Sequence, residues 1–419
     1  MTLGDNPLGN SPVWRDRILR SRRAGVLVLA VLLAVGGIGY VLYAGTPGGS
    51  GDDSSRWSRA VAEATPQQVL GGERRPGFPS VQRMEHDGLV FTVTVAPALP
   101  GRNLVRVDAL PLKGHAHQEA DEEMTVEVDG GAAPVEPTKR PGADGLWAVV
   151  DLPTGNPTVL VAHGPEHRIP VMLETGSSGS ADALWAGPDG PECLQAATAA
   201  VLAGGKAPTS CPAAELRDAD RAGLTSIVTT LASRGVEEVA LSADSSPRSR
   251  AASRLVRHLA AGKGVKVVAP SARPGSRSAL VVVTGWQPAA ERLAAVSSLP
   301  VEKQALRSDG VWLAPWLLSP GVVDSTTGAV IPLDFDIRDE AAQRYSQTLA
   351  EYFPEQAPTG SAYLAWRSAR EGADARGESA FYAASRAAYM PAEPGHSSHE
   401  TTVSWFPGGT VTRISLPTG

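Results

Sequence analysis

The sequence predicts two fold classes in series behind a membrane anchor: an all-β, Ig-like sandwich, then a doubly wound α/β lobe. Three observations predict it. An uncharged apolar run lies near the N-terminus, short alternating segments follow it, and the second half interleaves apolar strand patterns with amphipathic helix patterns.

The apolar run is Ala24 to Ala44, AGVLVLAVLLAVGGIGYVLYA, twenty-one residues without a charge. At about 1.5 Å per residue a helix of this length covers roughly 30 Å, the hydrocarbon thickness of a bilayer. Arg15, Arg17, Arg20, Arg22 and Arg23 precede it, and only Asp52 and Asp53 follow before Arg56. The positive-inside bias therefore makes residues 1–23 a cytoplasmic tail and sends the rest outside as a single-pass cell-membrane protein. Trp14, Tyr40 and Tyr43 fall where amphipathic rings favour the interface. A cleaved signal peptide is the competing reading. Its apolar core should run about 7–15 residues and end in a small-x-small site, whereas Leu42 and Ala44 make a poor cleavage pair.

Charge restricts the partners. The chain of 419 residues carries −6; the first 44 are net +3 (five Arg, two Asp), which leaves about −9 outside and argues against nucleic acid. Cys193 and Cys211, eighteen positions apart, are the only cysteines. In an oxidising exterior they are expected to pair, restraining the unfolded chain by about 3 kcal/mol.

Residues 45–83 are rich in Gly, Pro, Ser, Asp and Arg, a stalk by composition, with one short helix expected around Trp57 to Val69. From 84 to 175 the segments LVFTVTVAP, NLVRVDAL, MTVEVDG, LWAVVDLP, TVLVAHG and HRIPVMLE recur. Val and Met alternate with Thr and Glu in FTVTV and MTVEV, as in half-buried antiparallel strands, so six or seven strands make a small sandwich. Thr175 to Ser180, TGSSGS, is a linker.

The α/β lobe is expected over 187–370. Gly235 to Ser242 predicts a strand, and Pro247 to Ala261 a helix with Ala251, Leu255, Val256 and Leu259 inward. Val265 to Ala269 and Ala279 to Thr284 are near-continuously apolar, as strands buried on both faces should be. Helices follow at Ala289 to Ser297 and Asp339 to Phe353, with GVWLAPWLL from Gly310 and AVIPLDF from Ala329 between them. Such alternation implies a mostly parallel sheet covered by helices on both sides. The remainder, 371–419, predicts a helix in FYAASRAAYM and a hairpin around Pro407, Gly408 and Gly409.

In order, VEEVALSADSSPRSRAASRLVRHL, GVKVVAP and ALVVVTGW, then LDFDIRDEAAQRYSQTLAEYFPEQAPTGSAYLAWRSA with Phe335, Tyr345, Tyr352 and Pro358, resemble one lobe of the type I periplasmic-binding proteins of ABC transporters. That resemblance implies a binding role. Those receptors close two lobes over a ligand, and this chain has room for one. The β-domain segment VTVAPALPGRNLVRV, with Pro97, Gly101 and Asn103, resembles the opening of the copper-resistance sandwich. An Asn after Gly also suits a plain turn.

Candidate ligand residues follow from the strand's carboxyl end, where open α/β sheets bind: Asp244, Ser245 and Ser246, beside a helix N-terminus that favours anions. The competing use of these serines is to cap the helix. Trp312 and Trp316 are candidates for lining a cleft, with core packing as the competing use. For metal, Met84, His86, His115 and His117 bring imidazole and thioether together, a copper-suited set. The pairs His163/His167 and His396/His399 have no closed zinc spacing, and Asp334, Asp336 and Asp339 suit a strand end and helix cap. No nucleophile elbow, phosphate loop, HExxH or kinase signature occurs.

The expectation is a non-catalytic, membrane-anchored extracytoplasmic protein that binds a small molecule or a protein partner and carries no cofactor. Cell-surface copper handling is the alternative, and structural assembly of the envelope a further one.

Overall fold

The computed structural model describes residues 67–70, 74–86, 88–111, 124–164, 167–208, 210–300, 304–354, 356–372, 378–386, 405–406 and 409–416. The expected span at Ala24 to Ala44 lies outside them; among the described residues no helix is long and apolar enough to cross a membrane.

Among the described residues nine strands build the first layer: β1 (Gln67–Leu70), β2 (Ser80–His86), β3 (Leu89–Ala96), β4 (Gly101–Pro111), β5 (Met124–Val128), β6 (Thr138–Lys139), β7 (Leu146–Leu152), β8 (Thr158–His163) and β9 (His167–Met172). One sheet runs β1-β2-β3-β4-β7-β6 and faces a smaller one, β5-β8-β9, with antiparallel pairing throughout. The period-two pattern works as expected: Phe91, Val93 and Val95 meet Val126, Val159, Val161 and Ile169 in a common core. The sandwich starts earlier than its composition suggests. Within the expected stalk, Gln67–Leu70 pairs with β2 and β2 with β3, so at 67–69 a strand stands where the end of the helix was expected; the rest of that helix, 57–66, lies outside the described residues. Cross-strand partners override local composition there.

The other face of β3 and β4 is buried too. Ala96, Leu104 and Trp147 pack against Trp185, Cys193, Leu194 and Ala197. These come from α1 (Ala183–Ala186) and α2 (Gly190–Leu202), the latter buried along almost its whole length. The Cys193–Cys211 disulfide forms as expected and ties α2 to the short 3-10 turn Pro212–Ala214. Asn103 is fully buried; its side chain accepts from Ala98 N and donates to the Leu99 and Gly101 carbonyls, so Pro97, Gly101 and Asn103 serve a turn.

The second layer continues α3 (Asp218–Ser233), β10 (Glu238–Ser242), α4 (Pro247–Gly262), β11 (Lys266–Val268), β12 (Ser278–Val282), α5 (Trp286–Ser297), β13 (Val311–Leu313), α6 (Pro320–Val323), β14 (Ala329–Leu333), α7 (Glu340–Tyr352), α8 (Gly360–Glu371), β15 (Ala380–Arg386) and β16 (Gly409–Arg413). The sheet order is β11-β10-β12-β13-β14-β15-β16, with the first five strands parallel and the last two antiparallel. The helix expected in FYAASRAAYM is corrected by this order. Ala380 to Ala384 pair residue for residue with β14, and Phe381 and Tyr382 are buried, so sheet contacts outweigh the helix preference of its alanines. In α4 the fully buried positions are Ala252, Val256 and Ala260, one residue round from most of the expected inward set.

Candidate functional site

Strands β11 and β12 flank β10 on opposite sides, so the order reverses between β10 and β12. In an open parallel sheet a ligand enters at the carboxyl end of that reversal. Each element ending there brings residues of known disposition.

Beyond β10, the three predicted residues Asp244, Ser245 and Ser246 open α4. Ser246 Oγ accepts from Ser249 N at 3.2 Å, the capping use. The Asp244 carboxylate accepts from Ser246 N at 2.8 Å and, across the reversal, from Gly285 N at 2.6 Å. Gly285 is the N-cap of α5. The N–H group that an anion would seek there is therefore held by the chain's own carboxylate. Ser245 is exposed, and its carbonyl accepts from Arg250.

Helix α2 fills the rest of the crevice. A Cβ on Gly285 would stand 1.9 Å from Asp189 Oδ1, so that carboxylate occupies space only a glycine leaves free. Glu192, with no exposed surface, accepts from both Arg248 terminal nitrogens at 2.7 and 2.5 Å and from the Ser361 hydroxyl at 2.5 Å. The Arg248 guanidinium lies 4.6 Å over the Trp316 ring, whose Nε1 donates to the Thr284 carbonyl at 2.8 Å. Trp286 Nε1 in turn donates to Trp316 O at 2.7 Å.

Glu192 thus pairs with the Arg248 guanidinium, and the Asp189 and Asp220 carboxylates also act on it. Burial pushes the Asp189 carboxyl up to about 7, with the Glu192 and Asp244 charges adding to it and Arg248 opposing. Burial alone would lower Arg248, but Glu192 and then Asp189 hold it above its ordinary value. Asp189 Oδ1 and Thr284 Oγ1 are buried and have no hydrogen-bond partner among the described residues.

The sandwich closes the edge from its own side. The turn between β6 and β7 reaches the ends of β12 and β13, where Ser319 Oγ donates to Gly142 O at 3.1 Å and Arg140 to Gly187 O at 2.8 Å. Gly142 has φ +84°, and its Cβ would meet Trp286 O at 2.7 Å; a Cβ on Gly321 would meet Gly142 C at 2.6 Å. Backbone lies on backbone here.

The predicted residues are therefore only partly brought together. Trp316 belongs to the cluster, while Trp312 sits on β13, donates to Asp309 O at 2.8 Å and packs edge-on against Phe381. Asp189, Glu192, Arg248 and Ser361 were not predicted; the one available signal was an acidic pair at the start of an alanine-rich, cysteine-containing run. Met84 lies in the sandwich core, and among the described residues no group of three His, Cys, Asp or Glu is placed to hold a metal ion. His115 and His117 lie outside the described residues. Asp334 takes an ion pair with Arg367 at 2.9 Å, and Asp336 and Asp339 accept from backbone N–H groups.

A concavity of about 860 Å³ opens elsewhere, beside β4 and residues 139–146, with Arg106, Asp108, Met124, Arg140 and Asp144 among its walls. Arg106 is already paired there with Asp108 at 2.9 Å and bonded to Gln356.

No family model matches the chain, and no curated protein is similar to it. Solved structures similar to part of it include the following three. An ABC-transporter substrate-binding protein from Desulfitobacterium hafniense, in complex with Leu, is 12% identical over 36% of this chain and 47% of its own, with a TM-score of 0.26. An extracellular ligand-binding receptor from Verminephrobacter eiseniae is 14% identical over 36% and 48%, TM-score 0.29. A branched-chain amino acid ABC-transporter periplasmic ligand-binding protein from Burkholderia xenovorans is 10% identical over 36% and 44%, TM-score 0.25. The chain spans less than half the length of each.

Proposed function

We propose that the chain is a membrane-anchored, extracytoplasmic, non-catalytic recognition protein that engages a partner through its outer surface, with no solute held at the sheet edge. One observation carries this reading. The place where a parallel sheet takes a ligand is occupied by Asp189, Glu192 and the Gly142 turn, all from the same chain. Glu192 and Arg248 are buried against each other, and the Asp244 carboxylate is taken up by the chain's own N–H groups. The anchor is the sequence's contribution, through Ala24 to Ala44 and the arginines before it.

Two measurements test it. Thermal unfolding of the full-length chain should be unmoved by millimolar amino acids and small anions; a midpoint that climbs with ligand concentration, as mass action requires, overturns the closed-edge reading. For topology, cells carrying Ser271→Cys should react with a membrane-impermeant maleimide and cells carrying Ser11→Cys should not. The reverse pattern refutes the orientation.

A further inference from the structure

From Pro247 to Ala290 the chain carries eight Arg and Lys and not one Asp or Glu, although the protein as a whole has 44 acidic against 38 basic residues. Helix α4 turns this run into a surface. With Ala252, Val256 and Ala260 buried, the helical period puts Arg250, Arg254, Arg257 and His258 on the opposite, exposed face. Lys263 just beyond the helix and Lys266 on the edge strand β11 extend it, both exposed. Among the described residues none of Arg254, Arg257, Lys263 and Lys266 has a carboxylate partner. The one arginine of α4 that turns inward, Arg248, is the one with a buried partner.

We infer that this face of α4, continued by Lys263 and Lys266, is a docking surface for an extended polyanion bearing phosphates in series. Charge complementarity fixes the sign. Arg250, Arg254 and Arg257 are spaced roughly 6 and 4.5 Å along the helix axis, so each planar guanidinium meets its own phosphate. The face has no Phe, Tyr or Trp on which a base would stack, which disfavours a single-stranded nucleic acid. It also lacks the apolar side an inserting helix needs: the exposed large hydrophobics, Leu299, Leu306, Ile414 and Leu416, all lie outside α4 and β11. A phosphate chain meets every one of these conditions. The inference rests on the proposed function only for the surface lying outside the membrane.

The test uses the purified full-length chain and fluorescently labelled long-chain inorganic polyphosphate, with binding read by anisotropy at low and moderate salt. Binding should weaken steeply with salt. The variant Arg250→Gln/Arg254→Gln/Arg257→Gln should bind at least about ten-fold more weakly at low salt, with the log–log salt slope reduced by about 2, at roughly 0.7 per lost phosphate contact. Arg102→Gln/Arg338→Gln, exposed arginines elsewhere, should change neither quantity. An Arg→Lys triple at the same positions should keep the slope and lose less affinity, which guards against a glutamine variant that fails to fold. Absence of polyphosphate binding, equal losses in both glutamine variants, or tighter binding to oligothymidylate or to anionic-lipid vesicles overturns the inference. A solute-induced thermal shift would leave it untouched, so the two proposals fail separately.

Discussion

Replacing Asp189 by asparagine should make the protein more stable, and increasingly so as pH rises. The native carboxyl titrates at about 7 against an ordinary 3.8. That gap is a little over three pH units at about 1.36 kcal/mol each, so ionisation inside the fold costs about 4 kcal/mol. The sign follows from proton counting. Between pH 3.8 and about 7 the unfolded chain has released this proton and the native chain still holds it, so stability falls across that window and levels off above it. The cause is burial first, then Glu192 and Asp244. Urea unfolding of wild type and Asp189→Asn at pH 5 and pH 8 measures the effect. The variant's advantage should be larger at pH 8 by about 2–3 kcal/mol. Any fixed cost of fitting the amide beside Gly285 cancels between the two pH values. Burial also raises Asp144 and Asp324, but both are present in both proteins and cancel as well. An advantage that is the same at both pH values would refute the reasoning.

Other changes probe the same junction. Glu192→Ala should destabilise by about 3–5 kcal/mol in denaturant unfolding, because Arg248 is left charged and buried without its partner; adding Arg248→Leu should recover part of the loss. Gly142→Ala should cost about 2 kcal/mol or more in thermal unfolding, since its φ is +84° and the new methyl meets Trp286 O at 2.7 Å. Joint Cys193→Ala/Cys211→Ala should lower stability by about 3 kcal/mol in urea, the loop-closure entropy returned to the unfolded chain.

The regular elements were legible where a pattern repeats within one segment. Phe91, Val93 and Val95 announce a strand with one apolar face, and Ala279 to Thr284 a doubly buried one; what the alternation hid is that Thr92 and Thr94 on the other face of β3 are buried as well, on the side facing α1 and α2. Ser246 and Pro247 were legible as a helix start. Helix α2 was not. Its polar residues Glu192, Gln195 and Thr198 share one helical face yet are buried like the rest, so no solvent-facing side marks Gly190 to Leu202 as a helix against a core. The site's main residues were lost with it: nothing local links Glu192 to Arg248, fifty-six positions on, or to Ser361, one hundred and sixty-nine on. Ala380–Arg386 failed for the same reason in reverse, since its partner strand β14 lies far back in the chain and alanine alone suggests a helix.

The buried setting of α2 changes what the TGSSGS segment means. By composition it separates two domains, and a hinge or a cleavage site would be placed there. Yet a few residues later the chain enters a helix whose Leu194 and Ala197 pack on the sandwich while its Glu192 holds the lobe through Arg248. The two layers share a wall, and melting either one strips the other of part of its interior. Denaturation of this region should therefore register as one cooperative event, and a protease that cuts between residues 176 and 180 should leave two fragments that stay together until both unfold.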